Sequence, residues 1–139
     1  MAKTKIVSLG IVGVLVVAVV VVLLTAARPI SSDLSALGQG RPALVLAYEN
    51  YSPTGGEALA RLDGVRADYE PRMDFRVADL GTPQGRTFAE RHGLRDGLAV
   101  FLKPDGTPLR VTGIPADEQQ LRRRLDAKLA AVSRGVDDG

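Results

Sequence analysis

The first feature of the hydrophobic pattern is an uninterrupted apolar run near the start of the chain. Residues 6–27 read IVSLGIVGVLVVAVVVVLLTAA, and none of these 22 residues is charged. A helix of that length spans about 33 Å, enough to cross a hydrocarbon core of roughly 30 Å. The run therefore predicts a transmembrane helix. A cleavable signal peptide is the alternative, because TAA precedes Arg28, although the apolar core of a signal peptide is usually only about 7–15 residues long.

The charges on either side of this run predict its orientation. Lys3 and Lys5 lie in the tail of residues 1–5, whereas Arg28 is followed closely by Asp33. Positive charge is retained on the cytoplasmic side of a membrane, so the N-terminus is expected inside. The sequence thus predicts a single-pass protein of the inner (cytoplasmic) membrane, with its C-terminal domain outside the cytoplasm, in the periplasm.

After the apolar run, the pattern changes to short segments of strand or helix length. Residues 28–41 (RPISSDLSALGQGR) predict a linker with at most two helical turns, for which Ser32 or Asp33 is a suitable cap. Residues 42–48 (PALVLAY) predict a central strand buried on both faces, although a short buried helix fits the same pattern. Residues 73–80 (MDFRVADL) alternate apolar and polar side chains, which predicts a second strand.

Two amphipathic segments predict helices in the middle of the chain. From Glu57 onward, apolar residues recur every three or four positions until Pro71. The segment TPQGRTFAERHG predicts a short helix with Thr82 as its cap, Pro83 at its first position and Gly93 at its end. The residues expected to be buried in the first of these helices are Ala58, Leu59, Leu62, Val65 and Tyr69.

The remaining residues predict a hairpin, a last helix and a tail. LAVFLK and PLRVTG read as two strands joined by a tight turn at residues 104–106 (PDG). The last helix is predicted to begin near Asp117, and residues 133–139 (SRGVDDG) form a polar tail that is expected to fray. The residues expected to be buried in the last helix are Leu121, Leu125, Leu129 and Val132.

Strands that alternate with helices indicate an α/β fold with parallel pairing, to which the late hairpin adds an antiparallel strand. The order and spacing resemble the thioredoxin-like fold over residues 34–129. ALVLAY and ENYSPTGG resemble the central strand and redox turn of that family, and DFRVADL resembles its second core strand. FAERHGLRDGLAVFLKPDG and VTGIPADEQQLRRRL resemble the remaining elements. The resemblance implies a mixed sheet flanked by helices, in a domain of residues 42–132.

The resemblance also shows which chemistry the chain lacks. Aligned without gaps, Ser52 and Gly55 stand at the positions of the two family cysteines, Leu46 at the buried acid and Leu98 at the cis-proline. The sequence contains no cysteine. Dithiol–disulfide exchange needs a nucleophilic thiolate and a resolving thiol, so it is excluded. A cis bond before leucine costs about 2.5–4 kcal/mol, so the bond before Leu98 is expected to be trans.

The turn SPTGG offers two functional interpretations. In the simpler one, it only starts a helix, with Ser52 or Thr54 as the cap. In the other, Thr54, Gly55 and Gly56 present free backbone N–H groups to an anion or a peptide carboxylate.

The loop before Leu98 is a second candidate. Extended substrates of thioredoxins pair with the backbone of this loop, so the resemblance implies peptide binding along Asp96, Gly97 and Leu98, where Gly97 permits close approach.

Two other features of the sequence are candidates for chemistry. His92, the only histidine, is expected to interact as a partial cation with the dipole at the end of its helix, and no spacing of ligand residues predicts a metal site.

Arg122, Arg123 and Arg124 form the only basic run. They are expected to lie on a solvated helix face, with lipid headgroups or an acidic partner as the alternative, and Arg122 is expected to pair with Asp126.

Net charge limits the class of partner. Without Lys3 and Lys5, the other 16 basic residues balance 16 acidic ones, which does not favour nucleic-acid binding. No cofactor, metal or small-molecule substrate is expected. The sequence predicts a non-enzymatic protein, bound to the bilayer through residues 6–27 and to other membrane-protein subunits as an accessory or stabilising subunit. The alternative is a membrane-tethered module that binds peptides or acts like a chaperone.

Overall fold

The computed structural model describes residues 10–21 and 28–137. Residues 10–21 are helical. The rest of the predicted membrane segment, residues 6–9 and 22–27, and the predicted tail of residues 1–5 lie outside the described residues. Within the two described ranges, no helix is both long enough and apolar enough to cross a membrane.

Four strands form one mixed sheet in the order β2-β1-β3-β4. Strand β1 (Ala43–Tyr48) pairs in parallel with β2 (Asp74–Asp79) and antiparallel with β3 (Leu98–Leu102). Strand β4 (Thr112–Gly113) pairs antiparallel with β3. The first five residues of β1 are buried, which confirms the predicted central strand.

Three helices cover the sheet: α1 (Pro53–Tyr69), α2 (Pro83–His92) and α3 (Glu118–Asp137). Leu44 and Leu46 of β1 pack in the same core cluster as α1 and α3. Val45 and Ala47 point to the other face and pack with α2. The alternation of β1 therefore places one core on each side of the sheet.

Helix α1 begins four residues earlier than predicted, at Pro53 rather than at Glu57. Proline is well suited to the first helical position, because its fixed φ is compatible with the helix and its missing N–H is not needed there. Gly55 and Gly56 therefore lie in the first turn of the helix and not in a preceding loop. Of the residues expected to be buried in this helix, Leu59 alone is only partly buried, and in α3 the same is true of Leu129.

Gly64 lies on the exposed side of α1, and a Cβ atom added there would meet no atom within 4 Å. Glycine in a helix interior destabilises a protein by roughly 0.5–1 kcal/mol relative to alanine. Gly64→Ala is therefore expected to raise the free energy of unfolding by about that amount. Thermal unfolding of the full-length protein in mild detergent, followed by circular dichroism, measures this change. A fall in the melting temperature would contradict the exposed helical position of Gly64.

The predicted ends of α2 and the start of α3 are confirmed. The Thr82 hydroxyl accepts a hydrogen bond from the Gly85 N–H (3.1 Å), and Gly93 ends α2 in the left-handed conformation with φ 66°. Asp117 accepts from the Gln119 N–H at 2.9 Å. Helix α3 continues through Asp137, so residues 133–137 of the predicted tail are helical, whereas residues 138–139 lie outside the described residues.

The hairpin forms with a shorter second strand than predicted. The tight turn is present, since the Gly106 N–H donates to the Lys103 carbonyl at 2.8 Å. After the turn, Pro108 makes only an isolated bridge with Leu102, and regular pairing resumes at Thr112. Between this bridge and the Ala99–Thr112 pair, the second strand has one residue more than β3, and an extra residue of this kind disrupts the ladder locally.

The predicted linker is part of the domain. No helix forms in residues 28–41. Instead, Ser31 makes a parallel bridge with Arg76, and its carbonyl accepts from the Val77 N–H at 3.0 Å. Asp33 does not cap a helix, because its carboxylate accepts from the N–H and hydroxyl of Ser35 in a local turn. Leu34 is buried in the core on the α2 side.

Candidate functional site

The turn between β1 and α1 is organised around one carboxylate, that of Asp96, from the loop between α2 and β3. One Asp96 oxygen accepts a hydrogen bond from the Glu49 N–H at 2.7 Å. The other accepts from the Ser52 hydroxyl at 2.5 Å and from the Gly55 N–H at 3.1 Å. A single side chain from a distant loop therefore joins the end of β1 to the start of α1.

The turn starts α1 with Ser52 at the N-cap position, as the simpler interpretation of SPTGG expects, but the capping side chain is a different one. Ser52 is the N-cap residue, but its side chain accepts no hydrogen bond from the helix. The carboxylate of Asp96 caps α1 instead, where negative charge interacts favourably with the helix dipole. The Gly56 N–H donates to the Ser52 carbonyl at 3.0 Å. The N–H groups of Gly55 and Gly56, predicted to be free for a ligand, are thus already bonded within the chain.

Two glycines allow the loop to approach the helix this closely. A Cβ atom on Gly55 would lie 2.1 Å from an Asp96 carboxylate oxygen. Gly97 has φ +84°, and a Cβ atom there would lie 2.8 Å from the Thr54 methyl carbon. A side chain at Gly55 would therefore displace the Asp96 carboxylate, and one at Gly97 would displace the Thr54 side chain.

The loop that the resemblance assigned to peptide binding is itself attached to the sheet. The Gly97 N–H donates to the Ala47 carbonyl at 2.9 Å, so it is not available to a bound peptide. Leu98 is half-buried and pairs with Gly113 of β4. No peptide bond in residues 10–21 and 28–137 is cis, which confirms the trans bond expected before Leu98.

Tyr51 is a residue of this turn that the sequence reasoning missed. Its side chain is 94% exposed, and among residues 28–135 it is the only large hydrophobic residue that is exposed. Its φ is +68°, a left-handed conformation that is uncommon for a residue other than glycine. The turn therefore presents an aromatic ring to solvent beside the closed Asp96 network. An aromatic residue in a glycine-rich turn was the only signal in the sequence.

His92 does not act as the cation that the sequence predicted. Its ring lies 4.3 Å from that of Phe88, centroid to centroid, and the side chain is half-buried. Burial, and secondarily the charge of Arg91, lowers the pKa of His92 below its ordinary value of 6.5. The imidazole therefore packs as a neutral ring. The hydroxyl proton of Ser52 is directed to Asp96 and not to the His92 ring.

The lowered pKa of His92 predicts how it responds to pH. The folded state binds this proton more weakly than the unfolded state, so the stability contributed by neutral His92 is present above the unfolded pKa of about 6.5 and is lost as the pH falls through the folded pKa. Because His92 is the only histidine, a single imidazole resonance reports it in an NMR titration. We expect a midpoint below 6.5. A midpoint above that value would contradict the burial described here.

The basic run on α3 is partly occupied by contacts within the domain. Arg122 pairs with Asp68 (2.6 Å) and Glu118 (3.0 Å), and not with Asp126 as predicted. These two carboxylates raise the pKa of Arg122. Arg124 donates to the Thr112 hydroxyl at 3.0 Å. Arg123 and Arg124 are both exposed and Arg122 is half-buried, so the run lies largely on a solvated helix face, as predicted.

The site therefore contains a carboxylate, a hydroxyl and backbone N–H groups in a hydrogen-bonded set. No thiol is present in the sequence, and the Ser52 proton is directed to Asp96 at the start of α1. In the part of the chain that the structure describes, no group of three or more histidine, aspartate or glutamate residues is placed to hold a metal ion. The geometry suits a structural connection better than proton transfer.

No family model and no curated protein matches this sequence. Solved structures do match its fold. An uncharacterised thioredoxin-like protein from Clostridium perfringens is 18% identical, over 64% of this chain and 71% of that chain, with a TM-score of 0.56. The germline-specific thioredoxin Deadhead of Drosophila melanogaster is 16% identical over 65% and 83% (TM-score 0.54). Fasciola hepatica thioredoxin is 19% identical over the same shares (TM-score 0.53). The fold is therefore thioredoxin-like.

Proposed function

We propose that this chain is a non-catalytic, single-pass membrane protein that presents a redox-inactive thioredoxin-like domain outside the cytoplasm, as an accessory or stabilising subunit of a larger membrane complex. The observation that carries the proposal is the Asp96 network. The turn that bears the two cysteines in thioredoxins here contains Ser52 and Gly55, joined by hydrogen bonds to the Asp96 carboxylate.

A turn that is held by hydrogen bonds in this way supports binding rather than catalysis. The Asp96 carboxylate satisfies the donors at the start of α1 that a substrate or thiolate would otherwise meet. A fixed surface is useful for docking, because less conformational freedom is lost when a partner binds.

The membrane assignment rests on the apolar residues 6–27, whose length suits a spanning helix. Thioredoxin-like domains of cell envelopes are often associated with the assembly of cytochromes and respiratory complexes. An electron-transfer complex is therefore the first partner to test, an argument by analogy with the fold.

A second candidate function, a free-standing peptide-binding or chaperone-like module, is favoured by one observation. Tyr51 is 94% exposed at the turn, and exposed tyrosine side chains are common anchors in protein interfaces. The bonded Gly97 N–H removes one of the backbone groups through which the loop would bind a peptide.

Purification of the tagged, full-length protein in mild detergent, followed by a native gel and mass spectrometry, distinguishes these functions. An accessory subunit is expected to migrate in one large band with partners of fixed stoichiometry. A lone small band from intact membranes would overturn this proposal.

Tyr51→Ala, with the neighbouring Asn50→Ala as its matched control, then tests the turn as the contact. Loss of the large band only in Tyr51→Ala would place the partner there. If instead the wild-type protein is alone and exchanges peptides in a Tyr51-dependent way, the second function is supported.

A further inference from the structure

We propose that one end of the domain lies against the headgroups of an anionic bilayer and holds the Asp96 turn away from the membrane. This inference rests on the proposed membrane anchor. The surface, called here the membrane-facing end, consists of Arg28, Arg41, Pro42 and Arg72 together with residues 129–133 of α3. Its position follows from where the apolar run ends and how the next residues are fixed.

The first observation is that the chain joins the domain immediately after the apolar run, without a linker. The run ends at residue 27, and the carbonyl of the next residue, Arg28, already accepts a hydrogen bond from the Arg66 guanidinium. Three residues later, the Ser31 carbonyl accepts from the Val77 N–H. A residue spans at most about 3.6 Å, so a helix ending at residue 27 holds the domain at the membrane surface.

The second observation is the direction in which the chain enters the domain. From Arg28 to Ser31 it runs parallel to β2 and reaches Arg76, the third residue of that strand. Arg28 therefore lies at the end of the domain where β1 and β2 begin. The Asp96 turn follows β1 at its far end, roughly 20 Å away for a six-residue strand.

The third observation is the charge of this end. Arg41 is held by the Asp74 carboxylate (3.0 Å) and the Glu70 carbonyl (2.6 Å). Arg28 and Arg72 are exposed, and neither forms an ion pair with a carboxylate in the described ranges. Guanidinium groups bind phosphates well, and basic residues close to an anionic membrane surface are attracted to it.

The fourth observation is an open groove beside these arginines. Pro42, Leu129, Ala130 and Val132 give it an apolar floor, and Arg72 and Asp126 line it as well. An apolar surface bordered by arginine side chains suits the interfacial region of a bilayer, where the charged group meets phosphates and the apolar surface leaves water. Because the anchor fixes the distance and the arginines favour negative charge, the lipid surface is the occupant we assign.

Single-cysteine spin labels test this orientation, because the chain has no cysteine of its own. Ala130→Cys places a label in the groove, and Tyr51→Cys, at the opposite end, is the matched control. Both residues are exposed. The full-length variants are reconstituted in vesicles of phosphatidylcholine and phosphatidylglycerol, and collision with a water-soluble nickel complex is measured. We expect accessibility to be severalfold lower at residue 130 than at residue 51, and expect the double change Arg28→Gln and Arg72→Gln to reduce that difference.

Extraction of the same vesicles with alkaline carbonate separates the two proposals. Release of the protein would overturn the anchor, and with it the membrane-facing end. Retention of the protein with equal accessibility at residues 51 and 130 would overturn the membrane-facing end alone. A difference that is unchanged in vesicles of phosphatidylcholine only would contradict the role of the arginines.

Discussion

Asp96→Ala is expected to lower the free energy of unfolding by about 2–4 kcal/mol, because hydrogen bonds to charged groups contribute about 1.5–3 kcal/mol each and are not additive. The Asp96 carboxylate accepts from the Glu49 N–H, the Ser52 hydroxyl and the Gly55 N–H. Alanine would leave these donors without their acceptor and α1 without its cap. In the structure, the Ser52 side chain accepts no hydrogen bond from the helix, so the Asp96 carboxylate is the side-chain cap that is lost.

Urea unfolding of the full-length protein in mild detergent measures this effect, and hydrogen exchange of the Glu49 and Gly55 amides localises it. Asp105→Ala is the matched control, because Asp105 accepts a single turn hydrogen bond, from the Thr107 N–H at 2.9 Å. We expect it to cost less than about 1 kcal/mol. Asp96→Asn retains one acceptor and should give an intermediate value. Equal effects of the alanine changes at positions 96 and 105 would show that the network does not stabilise the domain.

Gly85→Ala is expected to destabilise the protein by about 3 kcal/mol or more, through overpacking against a rigid backbone. Gly85 lies in the first turn of α2, where the helix rests on the end of β2. A Cβ atom there would lie 1.9 Å from the Asp79 carbonyl oxygen and 2.7 Å from its nitrogen. Because these are backbone atoms of a paired strand, α2 itself would have to move, and the Thr82 cap would be lost with it.

Gly56→Ala is the matched control for this change, because Gly56 also lies in the first turn of a helix but a Cβ atom there would meet nothing within 4 Å. We expect that variant to be neutral or slightly stabilised. Thermal unfolding of both variants, followed by circular dichroism in the same detergent, gives the comparison. A Gly85→Ala protein as stable as the Gly56→Ala protein would show that α2 does not pack this closely on β2.

The elements that the sequence predicted well are those set by neighbouring residues. Thr82 and Gly93 delimit α2, and Asp117 starts α3, because each acts within one helical turn of its own position. The interruption of the second hairpin strand was not predicted. It arises from one extra residue between the Leu102–Pro108 bridge and the Ala99–Thr112 pair, and a pattern of apolar residues does not show where such a residue enters a strand.

The candidate site could not be predicted in the same way. Asp96 and Ser52 form a hydrogen bond although they are 44 positions apart in the sequence. No local pattern shows that a loop aspartate will cap a helix that is distant in the sequence. The sequence predicted that Gly55 presents a free N–H and that Gly97 permits close approach, yet the contact each one makes is with the chain itself and not with a ligand. Similarly, Ser31 pairs with β2 through backbone atoms, and the identity of its side chain gives no indication of this pairing.

The two edges of the sheet also have a consequence for how copies of the protein meet. Strand β4 is only two residues long, it follows the N–H-deficient Pro108, and Arg124 donates to its Thr112 hydroxyl. At the other edge, Ser31 forms a bridge with Arg76 in the middle of β2. Copies held by the proposed membrane anchor would share one plane, where crowding brings edges together and long unpaired strands aggregate. Because the edges are short and obstructed, such copies have few unpaired backbone N–H and C=O groups through which their sheets could pair. The domain can therefore be abundant in a membrane without polymerising through its sheet.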